Sequence, residues 1–174
     1  AALERLFAPI ADRPAVGLAV SGGPDSLALM VLAARWRGQR SAGPKLVVYS
    51  LDHGLRPEAA DEVGMVMAAA HGLGLEARAL KWQGHKPGAG VQSAARAARY
   101  RLIGQAMARD GAPVLMTAHH ARDQAETVLM RLAHGSGLDG LSGMQAFDTV
   151  LGVEIFRPLL GIAPVRLAAV VAEA

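Results

Sequence analysis

Short runs of branched and aliphatic residues alternate along this chain with longer stretches of helical character, and that alternation leaves few folds open. Strand-like runs fall at 15–20, 45–51 (KLVVYSL), 75–80, 113–117 (PVLMT) and 150–156. Helix-like stretches fall between them at 25–37, 57–71, 92–109 and 122–134, with a short helix at 1–11 and another opening at 165. A β-α-β-α order predicts an α/β fold: a parallel five-stranded sheet flanked by helices on both faces, joined by right-handed crossovers. Ligands of such sheets bind beyond the carboxyl ends of the strands. The segments 21–26, 51–56, 81–91 and 117–127 are therefore the ones to read for chemistry.

Composition narrows that chemistry. The 174 residues include no cysteine, which removes disulfides, thiolate nucleophiles and cysteine-bound zinc or iron–sulfur centres. No apolar run approaches the roughly 20 residues that span a bilayer. The first residues carry Glu4, Arg5 and Pro9 rather than a signal-peptide pattern. The expectation is a cytoplasmic enzyme with no membrane partner. Net charge is +3, and 15 of the 18 basic residues are arginine, the side chain suited to bidentate phosphate contacts. Aromatics make up only 4%, so an extended base-stacking platform is not expected.

Ser21-Gly22-Gly23-Pro24-Asp25-Ser26 joins the first strand to the first long helix. Gly22 and Gly23 permit a sharp turn and a close backbone approach to a ligand. Pro24 fits the first helical turn, where its missing N–H costs nothing. Free N–H groups at that helix start, with the hydroxyls of Ser21 and Ser26, would make an anion nest. The lysine of G-x-x-x-x-G-K-[ST] is absent, and so is G-x-G-x-x-G. The plainer reading is an ordinary glycine turn, with Asp25 as a carboxylate favoured by the helix dipole.

Three further segments follow strand ends. In Asp52-His53-Gly54-Leu55-Arg56, Asp52 and His53 can meet a ribose or base and Arg56 a phosphate, or the segment is simply a turn with Gly54 at a special dihedral. If a helix starts near 119, then His119, Asp123 and Glu126 share one face. That face would be a metal site, a site for a cationic amine, or a solvated surface; His119 and His120 would assist a proton transfer or close the strand end. In 84–100 the glycines and Pro87 read as a surface loop or a second phosphate loop. Arg96 and Arg99 follow it three apart on one helix. Finally, four glycines within 135–143 make a flexible connection, a candidate lid.

SGGPDS resembles the SGGxDS signature of the PP-loop ATP pyrophosphatases, which adenylate a carbonyl oxygen and release pyrophosphate. DHGLR, the ARAARY of 95–100, HHARDQAET, the glycine-rich connection and RPLL resemble, in that order, the tRNA(Ile)-lysidine synthetase family. The resemblance runs from about residue 15 to 166 and implies an adenine nucleotide alpha hydrolase-like fold, ATP and Mg²⁺ as cofactors, and Asp25 as the metal-binding carboxylate. It implies that residues 21–26 hold pyrophosphate, that Asp52 and His53 line the nucleotide pocket, and that Asp123 and Glu126 handle a free L-lysine. Arg99 would stabilise developing charge, and Arg96, Arg56, His119 and His120 would contact substrate. The acceptor would be an isoleucine tRNA with a CAU anticodon. Other PP-loop adenylating enzymes, such as a tRNA thiolase or an amide-forming synthetase, are the alternative, as is a nucleotide-binding module without turnover.

Two positions depart from the family pattern: His134 stands where an arginine is usual, and Arg122 stands before Asp123, where it can pair with Glu126 at spacing four. Residues 1–160 read as the ATP-binding catalytic domain and 161–174 as the start of a following helix or linker, without the tRNA-binding domains with which family members continue.

Overall fold

The computed structural model describes residues 2–84, 87–133 and 143–173. The chain opens with α1 (Ala2–Phe7) and a 3-10 turn over Ala8–Ile10. There follow β1 (Ala15–Ala19), α2 (Pro24–Gly38), β2 (Lys45–Asp52), α3 (Ala59–Gly72), β3 (Glu76–Lys81) and α4 (Val91–Asp110). The second part holds β4 (Val114–Met116), α5 (Ala121–Ala133), β5 (Phe147–Val150), β6 (Val153–Phe156) and α6 (Pro164–Ala172).

The strands form one sheet in the order β3-β2-β1-β4-β6-β5. Every pairing is parallel except that of β5 with β6. Strand side chains alternate between two cores, as a period of two requires. Val16, Leu18, Leu46, Val48, Val114 and Met116 face a core shared with α1, α2, α3 and α6. Ala15, Val47, Tyr49 and Leu115 face the opposite core, closed by Tyr100, Ile103 and Met107 of α4. Burial on both faces explains why KLVVYSL reads as an unbroken apolar run. The outer strand β3 is half-exposed and carries Glu76, Arg78 and Lys81, charges that discourage edge-to-edge pairing.

The five-stranded expectation is corrected at one edge. The apolar stretch 150–156 is not one strand but the end of one, a turn and the next, in a hairpin in which Phe147–Val150 returns as Val153–Phe156. Its two turn residues, Leu151 and Gly152, sit at φ 50° and 80°. Positive φ at both central positions is the turn that matches strand twist. Leucine at the first of them hides the turn, because Val-Leu-Gly-Val looks like continuous strand. The sheet is therefore six-stranded and mixed, with Phe147 stacked on Phe156 at 4.6 Å between ring centres.

The segment after Leu160 forms α6, whose Leu167 is buried in the core that α2 also closes. Successive strands run outward from β1 to β2 and β3, and the chain then returns to place β4 on the other side of β1. The crevice between the carboxyl ends of β1 and β4 is the switch point where ligands of open α/β sheets bind.

Candidate active site

Two strand-to-helix junctions face each other across that crevice. At the first, β1 leads through Ser21 and Gly22 into α2. Gly22 has φ 90°, a conformation that penalises any side chain. Gly23 is the N-cap of α2 with no side-chain cap, so the first N–H groups of the helix are not consumed by a capping side chain. Ser26 fastens the loop internally: its hydroxyl donates to the Gly23 carbonyl at 2.9 Å and accepts the Ser21 N–H at 3.2 Å. The hydroxyl expected to face an anion is thus engaged in holding the turn.

At the second junction, β4 leads through Thr117 and two histidines into α5. The helix starts at Ala121, within a residue of the expected 122, so the condition of a start near 119 is not met and His119 lies outside the helix that carries Asp123 and Glu126. The cause is a side-chain cap. The His120 N–H donates to Asp123 Oδ2 at 2.8 Å while the His120 carbonyl accepts the Gln124 N–H at 3.1 Å. Asp123 is turned back toward the helix start, and Glu126 turns outward to Arg122 at 3.0 Å, with both side chains largely exposed.

His120 connects the two junctions. It is buried, with Nε2 3.3 Å from Asp25 Oδ2 and Nδ1 3.2 Å from Asp123 Oδ2. The Arg122 N–H also points at Nδ1, at 3.2 Å, so the ring is held from both sides by the two junctions. Beside it His119 bonds through Nδ1 to the Thr117 hydroxyl at 2.8 Å. Burial, helped by the charge of Arg157, pushes the His119 imidazole below its ordinary pKa against the opposing pull of Asp123, so its neutral form is favoured.

Two cavities meet at this edge. The first, of about 250 Å³, has a polar rim of Ser21, Asp25, Ser26, His119 and Asp123 over a floor of Tyr49, Tyr100, Ile103 and Leu115. The second, of about 860 Å³, opens between α3 and α4 and is lined by Gly22, Leu55, Met65 and Gln92, with the exposed pair Arg56–Glu62 at its rim. Ser21, Gly23, His53, Arg96 and Arg99 belong to both walls. An uncapped helix start, two arginines and two carboxylates around a half-apolar cavity suit a nucleotide's phosphates and base together with a cation.

The PP-loop domain family matches residues 1–174 of this sequence. The chain belongs to the PP-loop family. It is 53% identical over 171 residues to the tRNA(Ile)-lysidine synthase of Bradyrhizobium sp. strain BTAi1, covering 98% of this chain and 48% of that protein. With the tRNA(Ile)-lysidine synthase of Rhodopseudomonas palustris the identity is 55% over 171 residues, covering 98% of this chain and 49% of the relative. The chain thus spans about half the length of these curated relatives. Among solved structures it superposes on the U34-tRNA thiolase NcsA of Methanococcus maripaludis with a TM-score of 0.79. That match covers 98% of this chain and 62% of the thiolase at 16% identity, a likeness of fold.

Within this PP-loop domain, the expected site residues fall into three groups. Ser21, Gly23, Asp25, Ser26, His53, Arg96, Arg99, His119 and Asp123 line the first cavity, and Gly22 and Arg56 the second. Pro24, Asp52, His120 and Glu126 line neither. Pro24 begins α2. Asp52 is buried at the end of β2, where Oδ1 accepts the Gly54 N–H at 2.6 Å and holds the turn, and Oδ2 lies 3.7 Å from Lys81. His85, Lys86, His134 and all but the last residue of the expected lid over 135–143 lie outside the described residues.

Two features had no reading in the sequence. Gln124 clasps Met144 through both backbone groups, accepting its N–H at 2.6 Å and donating to its carbonyl at 2.9 Å. Arg157 is almost wholly buried, donating to the Gln145 carbonyl and Asp148, and so ties the edge hairpin to the sheet end beside His119. The amide of Gln124 and the arginine of RPLL were visible as motif letters; their partners come from the fold.

Proposed function

We propose that this chain is the catalytic domain of a tRNA(Ile)-lysidine synthase, using ATP to activate a tRNA base for attack by lysine. The observation that carries the reading is the crevice itself. An uncapped glycine loop, suited to phosphate, faces across about one side chain a carboxylate, Asp123, suited to an ammonium. The curated relatives carry that synthase name, and the chain matches them over 98% of its own length.

The backbone of 21–26 and the start of α2 hold the triphosphate, with Asp52 shaping and His53 lining the nucleotide pocket. The C2 oxygen of the wobble cytidine, in an isoleucine tRNA with anticodon CAU, attacks the α-phosphorus, and pyrophosphate leaves. The ε-amine of lysine then attacks C2, and AMP leaves with the oxygen. Arg99, backed by Arg96 and Arg56 along the shared wall, meets the negative charge that each step builds on oxygen. Asp123 attracts the lysine ammonium, and with His119 and His120 nearby it accepts the proton that the amine must lose before attack. Glu126 joins it by exchanging the Arg122 guanidinium for the substrate ammonium; both partners are largely exposed, so the exchange costs little.

Asp25 would hold Mg²⁺; its place on the cavity wall, with one oxygen beside His120, supports that role. A hard cation beside that carboxylate would take oxygen ligands, which phosphates and water supply. When bound, the ion would neutralise charge on the departing pyrophosphate. No helix among the described residues is long and apolar enough to cross a membrane. A tRNA substrate would put the enzyme in the cytoplasm.

A thiolase shares the fold, but the solved relative carries a [4Fe-4S] cluster, and this chain has no cysteine to hold one. The test is pyrophosphate and AMP release from ATP, lysine and the CAU isoleucine tRNA. It is run on this chain and on a chimera in which it replaces the matching half of the Bradyrhizobium relative. Lysine-dependent release is expected. Lysine-independent turnover would assign another adenylating reaction, and no turnover by the chimera would leave a nucleotide-binding module.

A further inference from the structure

Among the described residues Arg13, Arg40, Arg56, Arg78, Arg122 and Arg157 each face a carboxylate. The two on the shared cavity wall do not. Arg96 lies over the ring of Tyr100 at 5.0 Å, and Arg99 donates through Nη2 to His53 Nε2 at 3.1 Å. Among the described residues no acid pairs with Arg99, although the carboxylate of Asp52 is the neighbour of His53 in the chain. That carboxylate is spent on the Gly54 N–H and on Lys81.

A guanidinium has donors only. His53 Nε2 must therefore be the acceptor, and the ring proton must sit on Nδ1. The other tautomer would set N–H against N–H at 3.1 Å. The arrangement holds even though it leaves Nδ1 buried without a hydrogen-bond partner. Burial, then the nearby charges of Arg99 and Arg56, disfavour the imidazolium more than Asp52 favours it.

We propose that His53 is the positioning residue for Arg99: as the Nδ1–H tautomer it fixes the guanidinium between the two cavities without neutralising it. A carboxylate there would hold the side chain equally well and quench the charge that an incoming phosphate needs. The proposal rests on the reading of Arg99 as the group that meets the phosphates of ATP, and it gives His53 a role through Arg99 rather than through the nucleotide alone.

The isosteric pair His53→Gln and His53→Glu separates holding from quenching, because glutamine can place an acceptor near Nε2 and glutamate adds the charge. Affinity for an ATP analogue with a methylene between its α- and β-phosphates is measured by calorimetry, with folding checked by circular dichroism. His53→Gln is expected within about threefold of the parent, and His53→Leu roughly tenfold weaker, the loss typical of a hydrogen bond to a charged group. His53→Glu is expected to be at least about tenfold weaker than His53→Gln. Equal affinity of the Gln and Glu variants overturns the proposal. Independently, long-range ¹H–¹⁵N correlation on the labelled chain, assigned by the His53→Gln spectrum, should show the Nδ1–H tautomer of His53. An Nε2–H or mixed tautomer also overturns it. If the parent chain does not bind the analogue, the adenylating reading fails, and the His53 spectrum still decides the Arg99 contact.

Discussion

The loop after β1 and the turn after β4 occupy equivalent places, since each follows one of two adjacent parallel strands and opens a helix at the same sheet edge. They are built in opposite ways. The first is backbone: Gly22 at positive φ, Gly23 without a side-chain cap, and serines that brace the turn from within. The second is side chain: Asp123 takes the His120 N–H, and His120 Nδ1 takes the Arg122 N–H. An uncapped helix start offers N–H groups and positive potential to an anion. A start capped by a carboxylate has spent N–H groups and presents negative charge, which suits a cation. One topological position thus yields a phosphate site or an amine site, and the cap decides which.

Asp25 breaks the symmetry, being a carboxylate within the anion-binding junction. Its removal should have the largest effect of any change here. Asp25→Ala, in the chimera carrying this domain, should reduce AMP release by roughly a thousandfold, about 4 kcal/mol in the barrier. Its side chain is 38% exposed, but its loss leaves the buried His120 Nε2 without that partner, so stability should fall by about 1 kcal/mol, far less than the loss of rate. An unchanged rate would leave the carboxylate a dipole partner of α2 and nothing more.

His120→Ala tests whether the two junctions act as one unit. Losing a buried side chain bonded at both nitrogens should cost about 2 kcal/mol of stability, measured by urea unfolding. Amide exchange should speed up both at 21–26 and at 121–124. Acceleration confined to the start of α5 would show the loop to be independent of the imidazole.

Gly22→Ala attacks the backbone-built junction alone. A Cβ there would meet Glu62 and Val66 at an ordinary 3.7 Å, so space is available and conformation is the obstacle. Stability should fall by about 1 kcal/mol and ATP-analogue affinity with it, while exchange at α5 stays as in the parent. Equal disturbance at α5 would instead mean that the loop sets the geometry of both.

The backbone-built junction was legible in the sequence, and the side-chain-built one largely was not. A glycine pair followed by proline between a strand and a helix specifies its own geometry, because the special φ and the uncapped start are local. The α/β order was legible for the same reason, through apolar periods. The turn before α5 depends on Asp123 reaching back to His120, and His120 packs in turn against Asp25, nearly a hundred residues away. Spacing alone could not foresee that. The edge hairpin was missed because leucine occupies a turn position that favours glycine or asparagine.

Arg122→Ala should have the smallest effect and bears on the amine side of the comparison. The Arg122–Glu126 contact is 3.0 Å, but the two side chains are 73% and 59% exposed. Exposed pairs at spacing four contribute about 0.3–0.5 kcal/mol, so the unfolding midpoint should shift by no more than that implies. The same weakness makes the pair informative. If Glu126 meets the lysine ammonium by releasing Arg122, then removing the arginine takes away a competitor, and the KM for lysine in the chimera should fall slightly or stay level. A rise in that KM would mean that Arg122 holds Glu126 in place for the substrate. Asp123, already turned into the cavity by its bond to His120, would then be the carboxylate that first receives the amine.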